Sequence, residues 1–467
     1  MEPYELTITQ ASVAIAAGEL SPVELLDSAI GQIERYEDRV GAFATLTLDA
    51  AREAAQRTEA QIHASGPAGP LHGIPVGIKD LYDTAGVAST SSSRTRAGRV
   101  ATEDSAVTAR LRAVGAVLVG QTHTHEYAYG VITPTTRNPW DLDRIPGGSS
   151  GGSGAALAAR MVLGATGTDT GGSIRIPSAL NGTTGLKPTY GRVSRYGITS
   201  LCWALDHAGP MARTVSDVAL LLQAMAGYDP RDPGSVDEPV PDYAAGVGRD
   251  ARLDGLTFGV PTNYYTEPIE PDVEAAFRAA VATLQDAGAS IHEVELPLAQ
   301  TYMPIEYGIL VAEATAYHQG TLRDKGELYE ADVRVLLEAG ELMFASDYIR
   351  ALRARQLVKR GWQELFDGLD AVLAPTLCAT AVRADDPVVR WPDGTEESAI
   401  DVYVKASAPG NLTGLPSLSV PCGFDSQGLP IGLQIFGRPF DEVGVLRIGS
   451  VFEAATDFAN RMPTGLG

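Results

Sequence analysis

Apolar residues recur at helical spacing near the start of the chain. Ser21-Pro22-Val23-Glu24 forms a capping box with proline at the first helical position, and Leu25, Leu26, Ile30 and Ile33 follow at one-face spacing. The segment therefore predicts an amphipathic helix. The same kind of pattern predicts further helices over residues 50–62, 106–114, 155–161, 271–287 and 443–458.

Short apolar runs between these helices predict buried strands. They cover residues 73–78, 116–119, 257–260, 290–296 and 431–435, and the first delivers Lys79-Asp80 at its end. Because helices and strands alternate, the chain is predicted to be an α/β protein. Residues 228–254 are rich in proline and aspartate and predict a linker or surface excursion, and residues 383–397 predict a second irregular stretch.

Composition and charge narrow the class of protein. The 467 residues carry 36 Lys and Arg against 58 Asp and Glu, a net charge of −22, so nucleic acid and anionic membranes are not expected as partners. Cys202, Cys378 and Cys422 are too widely spaced for a disulfide framework or a zinc site. The chain start lacks a signal-peptide pattern, and apolar runs fall short of the ~18 residues of a membrane span. We expect a cytoplasmic protein that acts on a small molecule.

A run of glycine and serine over residues 146–154, echoed at 167–175, is the densest chemical feature. A flexible linker is one interpretation, although the run lies inside an α/β pattern. A phosphate-binding P-loop is another, but Ala155 stands where that motif needs lysine. The third is nucleophilic catalysis, in which serine supplies a hydroxyl and glycines let backbone N–H groups converge on an oxyanion.

One form of nucleophilic site is the G-x-S-x-G elbow, which residues 147–151 match, with Ser149 as the nucleophile of an α/β-hydrolase-type esterase. That mechanism requires a histidine base. His207, His292 and His318 lie downstream, and none has a local signature.

His123 and His125, followed by Glu126, raise the question of a metal site. If they lie on a strand, both rings point to one face, but the sequence offers no clear third ligand. No metal is predicted.

Three successive blocks resemble those of the amidase signature family: residues 77–80 (Gly-Ile-Lys-Asp), 147–153 (Gly-Gly-Ser-Ser-Gly-Gly-Ser) and 169–175 (Asp-Thr-Gly-Gly-Ser-Ile-Arg). Lys79 and Ser149 are 70 residues apart, and Ser149 and Ser173 are 24 apart, which agrees with the family's order and spacing. The likeness covers residues 5–228 and 409–460.

The resemblance implies one α/β/α body over residues 1–467, with a mixed sheet of about eleven strands flanked by helices and a variable substrate-pocket region over about 297–405. It implies a Ser–cis-Ser–Lys triad without a cofactor: Ser173 as the nucleophile, Ser149 as the bridging serine after a cis peptide bond and Lys79 as the base. The remaining roles carried over are oxyanion binding by the backbone N–H groups of Thr170, Gly171, Gly172 and Ser173, and support by Gly148, Ser150, Asp169 and Arg175.

The chemistry of lysine is compatible with this role. A serine hydroxyl needs a base within hydrogen-bond reach, and a lysine can serve when burial lowers its pKa enough to keep the amine neutral. Lys79 follows a buried apolar strand, so we expect such burial.

The resemblance also bears on the substrate. The implied pocket favours small apolar or aryl amides, with esters and carbamates as further substrates, and its candidate residues are Tyr129, Ile176, Tyr302, Met303 and Tyr307.

Two alternative functions stay open. One is the glutaminase subunit of a tRNA-dependent amidotransferase. Members of that subunit family have Gln at the position of Ile176 and Asp near the position of Val404, and we expect this chain to be a monomer or homodimer. The other is a non-catalytic scaffold.

Overall fold

The computed structural model describes residues 2–248, 252–463 and 465–466. The helix predicted from the capping box near the start of the chain is present in it. In the helix Pro22–Val40, Ser21 Oγ accepts a hydrogen bond from Glu24 N, and the Glu24 side chain accepts from Ser21 N. This capping box satisfies N–H groups that a helix start leaves unpaired. Leu25, Leu26 and Ile30 are buried on one face of that helix.

In chain order, the α-helices of the described residues are α1 (Ile8–Ala17), α2 (Pro22–Val40), α3 (Leu48–Ser65), α4 (Ala106–Ala113), α5 (Gly151–Ala158), α6 (Arg175–Asn181), α7 (Val215–Met225), α8 (Pro271–Asp286), α9 (Tyr302–Lys325), α10 (Ala331–Gly340), α11 (Ala345–Leu365), α12 (Ala399–Thr413) and α13 (Glu442–Ala454). The strands are β1 (Phe43–Leu46), β2 (Pro75–Lys79), β3 (Val117–Thr122), β4 (Gly164–Asp169), β5 (Thr184–Lys187), β6 (His207–Ala212), β7 (Thr257–Pro261), β8 (Ser290–Val294), β9 (Ala371–Pro375), β10 (Val388–Arg390), β11 (Glu396–Ser398), β12 (Ser417–Phe424) and β13 (Pro430–Phe436).

Eleven strands of the described chain form one mixed sheet in the order β1-β3-β2-β4-β6-β5-β12-β13-β9-β7-β8. Strand β2 runs parallel to both β3 and β4, whereas β4 and β6 are antiparallel. Strands from both halves of the chain therefore share this sheet, and the predicted α/β class with a mixed sheet of about eleven strands is confirmed.

Helices cover both faces of the sheet. On β3, Val117 and Val119 pack in one apolar cluster with α2, α3 and α5, while Leu118 packs in a second cluster with α4 and α7. Neighbouring residues of a strand point to opposite faces. The sheet is thus the middle of three layers, as the resemblance implied.

Most predicted elements are present with shifted ends. The helix predicted over 155–161 is α5, which begins four residues earlier inside the glycine and serine run. Glycine lets α5 approach other backbone closely, since a methyl group at Gly154 would lie 3.1 Å from the carbonyl oxygen of Pro177. The closing helix predicted to reach residue 458 ends at Ala454.

Two further expectations concern irregular segments. The stretch 383–397 is not wholly irregular, because β10 and β11 form an antiparallel hairpin within and just beyond it. The predicted excursion 228–254 lacks helix and strand apart from a 3₁₀ turn at Ala244–Gly246, and its residues 249–251 lie outside the described chain. Across the described residues, every helix is too short or too polar to cross a bilayer.

Candidate active site

Lys79 is the last residue of β2, a strand buried along its whole length between β3 and β4. Its Nζ lies 2.8 Å from each of three hydroxyl oxygens, those of Ser149, Ser150 and Thr168. Burial lowers the pKa of Lys79 well below its usual value, although the charges of Asp169 and Asp206 oppose the shift. A neutral amine has two hydrogens to donate and one lone pair, so it can accept a proton from one of these hydroxyls.

Ser149 is held in the segment that leads into α5. The Gly148–Ser149 peptide bond is cis. Thr133 Oγ1 donates to the carbonyl of Gly147 at 3.0 Å and lies 3.3 Å from that of Ser149. A methyl group at Gly148 would lie 2.7 Å from the backbone of Val131, so only glycine fits the close approach of these two chain segments.

Ser173 lies in the turn between β4 and α6. Its carbonyl accepts a hydrogen bond from Ser150 N at 3.2 Å, which ties this turn to the Ser149 segment. The Ser173 hydroxyl makes no hydrogen bond to any described residue, and the residue is 5% exposed. The three predicted triad residues thus lie on joined segments, with the Lys79–Ser149 contact formed and the Ser173 hydroxyl unpaired among the described residues.

The turn itself is built on Asp169. Its carboxylate accepts from the backbone N–H groups of Gly172, Ile174 and Arg175 and from the side chains of Arg175 and Asn411. Burial alone would raise the pKa of Asp169, but Arg175 above all outweighs it and holds the pKa well below the usual range. Arg175 also donates to the Ser407 carbonyl and to Gln434. Both residues are fully buried and act as a scaffold.

One predicted oxyanion donor is engaged elsewhere. Gly172 N donates to Asp169 Oδ1 at 2.9 Å, so it is not free to bind a substrate oxygen in this arrangement. The N–H groups of Gly171 and Ser173 have no acceptor within the described residues. Thr170 donates its hydroxyl to Asp206 at 2.7 Å.

The predicted pocket residues have different surroundings in the structure. Ile176 packs under the turn, since a methyl group at Gly172 would lie 2.8 Å from its Cδ1. Tyr129 is buried, and its hydroxyl has no hydrogen-bond partner in the described part of the chain. Tyr307 is partly buried and donates to Asp401 at 3.1 Å.

Tyr302, a predicted pocket residue, packs in the interior of the protein. It is fully buried; its hydroxyl donates to the Pro297 carbonyl and accepts from Trp362 Nε1, so the ring packs between α9 and α11. Its neighbour Met303 is partly buried against the main apolar cluster.

The histidines do not supply a base for Ser149. No histidine ring hydrogen-bonds to the Ser149 hydroxyl in the described chain, and the Nδ1 atoms of His207 and His318 contact the Leu205 carbonyl and the Tyr329 hydroxyl. The elbow interpretation therefore lacks its general base.

His123 and His125 follow β3, and each ring contacts another side chain. Nδ1 of His123 contacts Ser92, and Nε2 of His125 contacts Asp332. The described residues contain no group of three or more metal-ligating side chains.

Two residues at the site were missed from the sequence. Thr168 contacts Lys79 and lies in the second glycine-rich block. Its position in that block was the one sequence feature that could have indicated a place at the site. Glu306, on α9, approaches Gly171 and gave no sequence signal, because a lone glutamate on a helix is usually solvated.

A cavity of about 430 Å³ lies beside the end of β4. Thr168 and Thr170 contribute to its wall, together with Tyr190, Tyr196 and Trp203.

Comparisons with known proteins identify one family for this chain. The model of the Amidase family matches residues 24–446. An amidase of Pseudomonas putida is 49% identical, with 99% of this chain and 98% of that protein covered. A glutamyl-tRNA(Gln) amidotransferase subunit of Roseiflexus sp. (strain RS-1) is 42% identical, with 98% of each covered. A solved structure from a vestigial protein complex, described as revealing the origins of an s-triazine catabolic enzyme, superposes with a TM-score of 0.92 at 32% identity, covering 96% of this chain and 98% of the other.

Proposed function

The chain belongs to the amidase (amidase signature) family and is an amidohydrolase, and we propose that it cleaves the C–N bond of small apolar or aryl amides through an acyl-enzyme on Ser173. The observation that carries the proposal is the buried contact between Lys79 Nζ and Ser149 Oγ at 2.8 Å. A lysine that burial keeps neutral can act as the base that serine chemistry needs.

The first half of the reaction forms the acyl-enzyme. Ser173 Oγ attacks the carbonyl carbon of the amide and gives its proton to Ser149, whose own proton passes to Lys79. The N–H groups of Gly171 and Ser173 donate to the oxyanion of the tetrahedral intermediate. The C–N bond then breaks, and the amine leaves with the proton that returns from Lys79 through Ser149.

The second half releases the acid. Water attacks the ester carbon of the acyl-enzyme, its proton follows the same relay, and Ser173 is regenerated as the acid departs. Esters and carbamates can form the same type of intermediate. A carbamoyl-enzyme has a less electrophilic carbonyl, so its hydrolysis is slower.

The surroundings of the turn support a small organic substrate. The aromatic rings of Tyr190, Tyr196 and Trp203 in the cavity beside the end of β4 suit an aryl group. The net charge of −22 disfavours nucleic acid as a partner. We place the protein in the cytoplasm as a monomer or homodimer.

The second candidate is the glutaminase subunit of a tRNA-dependent amidotransferase, which the 42% identical relative favours. Against it stand Ile176 and Val404, two buried apolar side chains where the resemblance expects glutamine and aspartate. An apolar side chain cannot replace polar contacts to a glutamine amino group.

Labelling tests the nucleophile. A sulfonyl fluoride should inactivate the enzyme and add covalent mass to Ser173, and Ser173→Ala should lower kcat on a 4-nitroanilide by ~10⁴ or more. Ser153→Ala is the matched control, because it removes a serine hydroxyl from the glycine and serine run. Ser153 donates to the Thr166 carbonyl and does not contact Lys79. A label on Ser149, or hydrolysis of L-glutamine in preference to every anilide, contradicts the proposal.

A further inference from the structure

Glu306 has a buried carboxyl group without a hydrogen-bond partner among the described residues. It lies on α9 and is fully buried, and neither side-chain oxygen has a hydrogen-bond partner among the residues that the structure describes. A buried polar group that is left unpaired costs free energy, so such a group is kept only where something else satisfies it. Glu306 therefore calls for a partner that the folded chain does not supply.

The carboxylic acid lies directly against the catalytic turn. A methyl group placed on Gly171 would lie 3.4 Å from Glu306 Oε1 and 3.3 Å from Val404 Cγ1. Gly171 is two residues before Ser173 and offers one of the unengaged backbone N–H groups. Glu306 thus borders the site at which the acyl carbon is attacked.

A second buried polar group without a hydrogen-bond partner in the described residues is the hydroxyl of Tyr129. Burial raises the pKa of Tyr307, and Asp401, Glu306 and Tyr129 add to the rise. Two buried polar groups that the described chain leaves unsatisfied thus both act on the Tyr307 hydroxyl.

The surroundings favour the neutral form of Glu306. Burial raises its pKa well above the usual value, and Asp169 adds to this, whereas Arg355 and Arg175 oppose it. Neither arginine forms an ion pair with Glu306 in the described chain: Arg355 donates to the backbone carbonyls of Leu412 and Asn411. A protonated carboxyl offers one O–H donor and one carbonyl acceptor side by side.

We propose that Glu306 is a specificity-determining residue that binds a neutral donor–acceptor pair, a second group in the acyl part of the substrate that is a primary amide or an N-unsubstituted carbamate, because only an –NH2 group places an N–H beside the carbonyl oxygen. Its O–H donates to the carbonyl of that group, and its carbonyl oxygen accepts from the N–H. The inference rests on the proposed function, because it assigns the acyl side of the Ser173 reaction. Preferred substrates are then bifunctional amides or carbamates rather than simple alkyl or aryl amides.

Three 4-nitroanilides of matched acyl length test the proposal: 4-amino-4-oxobutanoyl, which ends in a primary amide, pentanoyl and 4-aminobutanoyl. We expect the ratio of kcat/KM for the 4-amino-4-oxobutanoyl over the pentanoyl substrate to fall about 10- to 100-fold in Glu306→Leu, because two hydrogen bonds are lost. Glu306→Gln keeps a donor and an acceptor, so it should retain most of the ratio. Glu313→Gln is the control on the same helix: Glu313 is buried and already accepts from Ala204 N and Tyr348. It should keep the wild-type ratio.

Binding separates this proposal from the one on which it rests. Butanediamide, pentanamide and 4-aminobutanamide are titrated calorimetrically into Ser173→Ala, with and without Glu306→Leu. Tighter binding of butanediamide that Glu306→Leu removes supports the assignment even if Ser173 proves not to be the nucleophile. Equal binding of the first two amides overturns it, and so does preference for the ammonium-bearing ligand, which would mean that Glu306 is ionised.

Discussion

Two buried carboxylic acids flank the turn that carries Ser173, and their surroundings differ. Asp169 accepts hydrogen bonds from the backbone of its own turn, from Arg175 and from Asn411, and its pKa is held low. Glu306, on the helical side of the site, accepts none from the described residues, and burial raises its pKa.

The difference separates scaffold from ligand site. A charge that the protein satisfies with its own donors fixes the backbone and has no capacity left for substrate. An acid that the protein leaves unsatisfied next to a reactive turn has its full capacity available. In the proposed mechanism, the region around β2, β4 and α6 supplies the reacting groups, and α9 with α12 contacts the acyl part of the substrate.

The largest effect should come from the catalytic side. Lys79→Met and Ser149→Ala should each lower kcat by several orders of magnitude, since proton transfer fails without either group. His207→Ala and His318→Ala should keep activity within about tenfold, because neither ring contacts a triad hydroxyl. Steady-state kinetics with circular dichroism as a folding control decide this. Loss of turnover in a histidine variant together with an active Lys79→Met enzyme would restore the elbow mechanism.

Stability should distinguish the two acids. Asp169→Asn leaves the buried Arg175 without its counter-charge and should cost about 3–5 kcal/mol in the free energy of unfolding. Glu306→Gln should instead increase that free energy at pH 7, by up to about 3 kcal/mol, because the acid is held neutral in the folded state but ionises in the unfolded state.

Urea denaturation at pH 7 measures both variants. We expect Glu306→Gln to increase the free energy of unfolding. The pKa of Glu306 is raised in the folded state, so the wild type loses stability as the pH rises above the pKa of the unfolded chain. Glutamine does not ionise and removes this loss. Equal destabilisation by the two substitutions would contradict the division into scaffold and ligand site.

The smallest expected effect is the pH dependence of catalysis, which reports the protonation state of Lys79. Only neutral Lys79 can take the Ser149 proton, so kcat/KM should rise with pH up to tenfold per unit. It should level off above an apparent pKa well below the ~10.4 of free lysine. Initial rates between pH 6 and 9, corrected for stability, test this. A rate that falls over this range would assign the active form to the charged lysine.

Several features of this site follow from short-range sequence patterns. Alternation of helical and strand patterns predicts the α/β class, and the buried run before Lys79 predicts a lysine with a lowered pKa. The strands β4, β5 and β6 were harder to predict, because their glycine, alanine and threonine residues carry little periodic signal.

Other features depend on contacts between distant parts of the chain. Asn411 reaches Asp169 across 242 residues, and Glu306 meets Gly171 only because α9 packs beside α12. The same packing buries Tyr302, although its sequence suits a substrate pocket equally well. A local pattern specifies which face of an element is apolar, but which side chain is left without a partner depends on every neighbour that surrounds it. For this reason the sequence predicts which side chains could react, whereas the surroundings of Glu306 are defined only in the folded molecule.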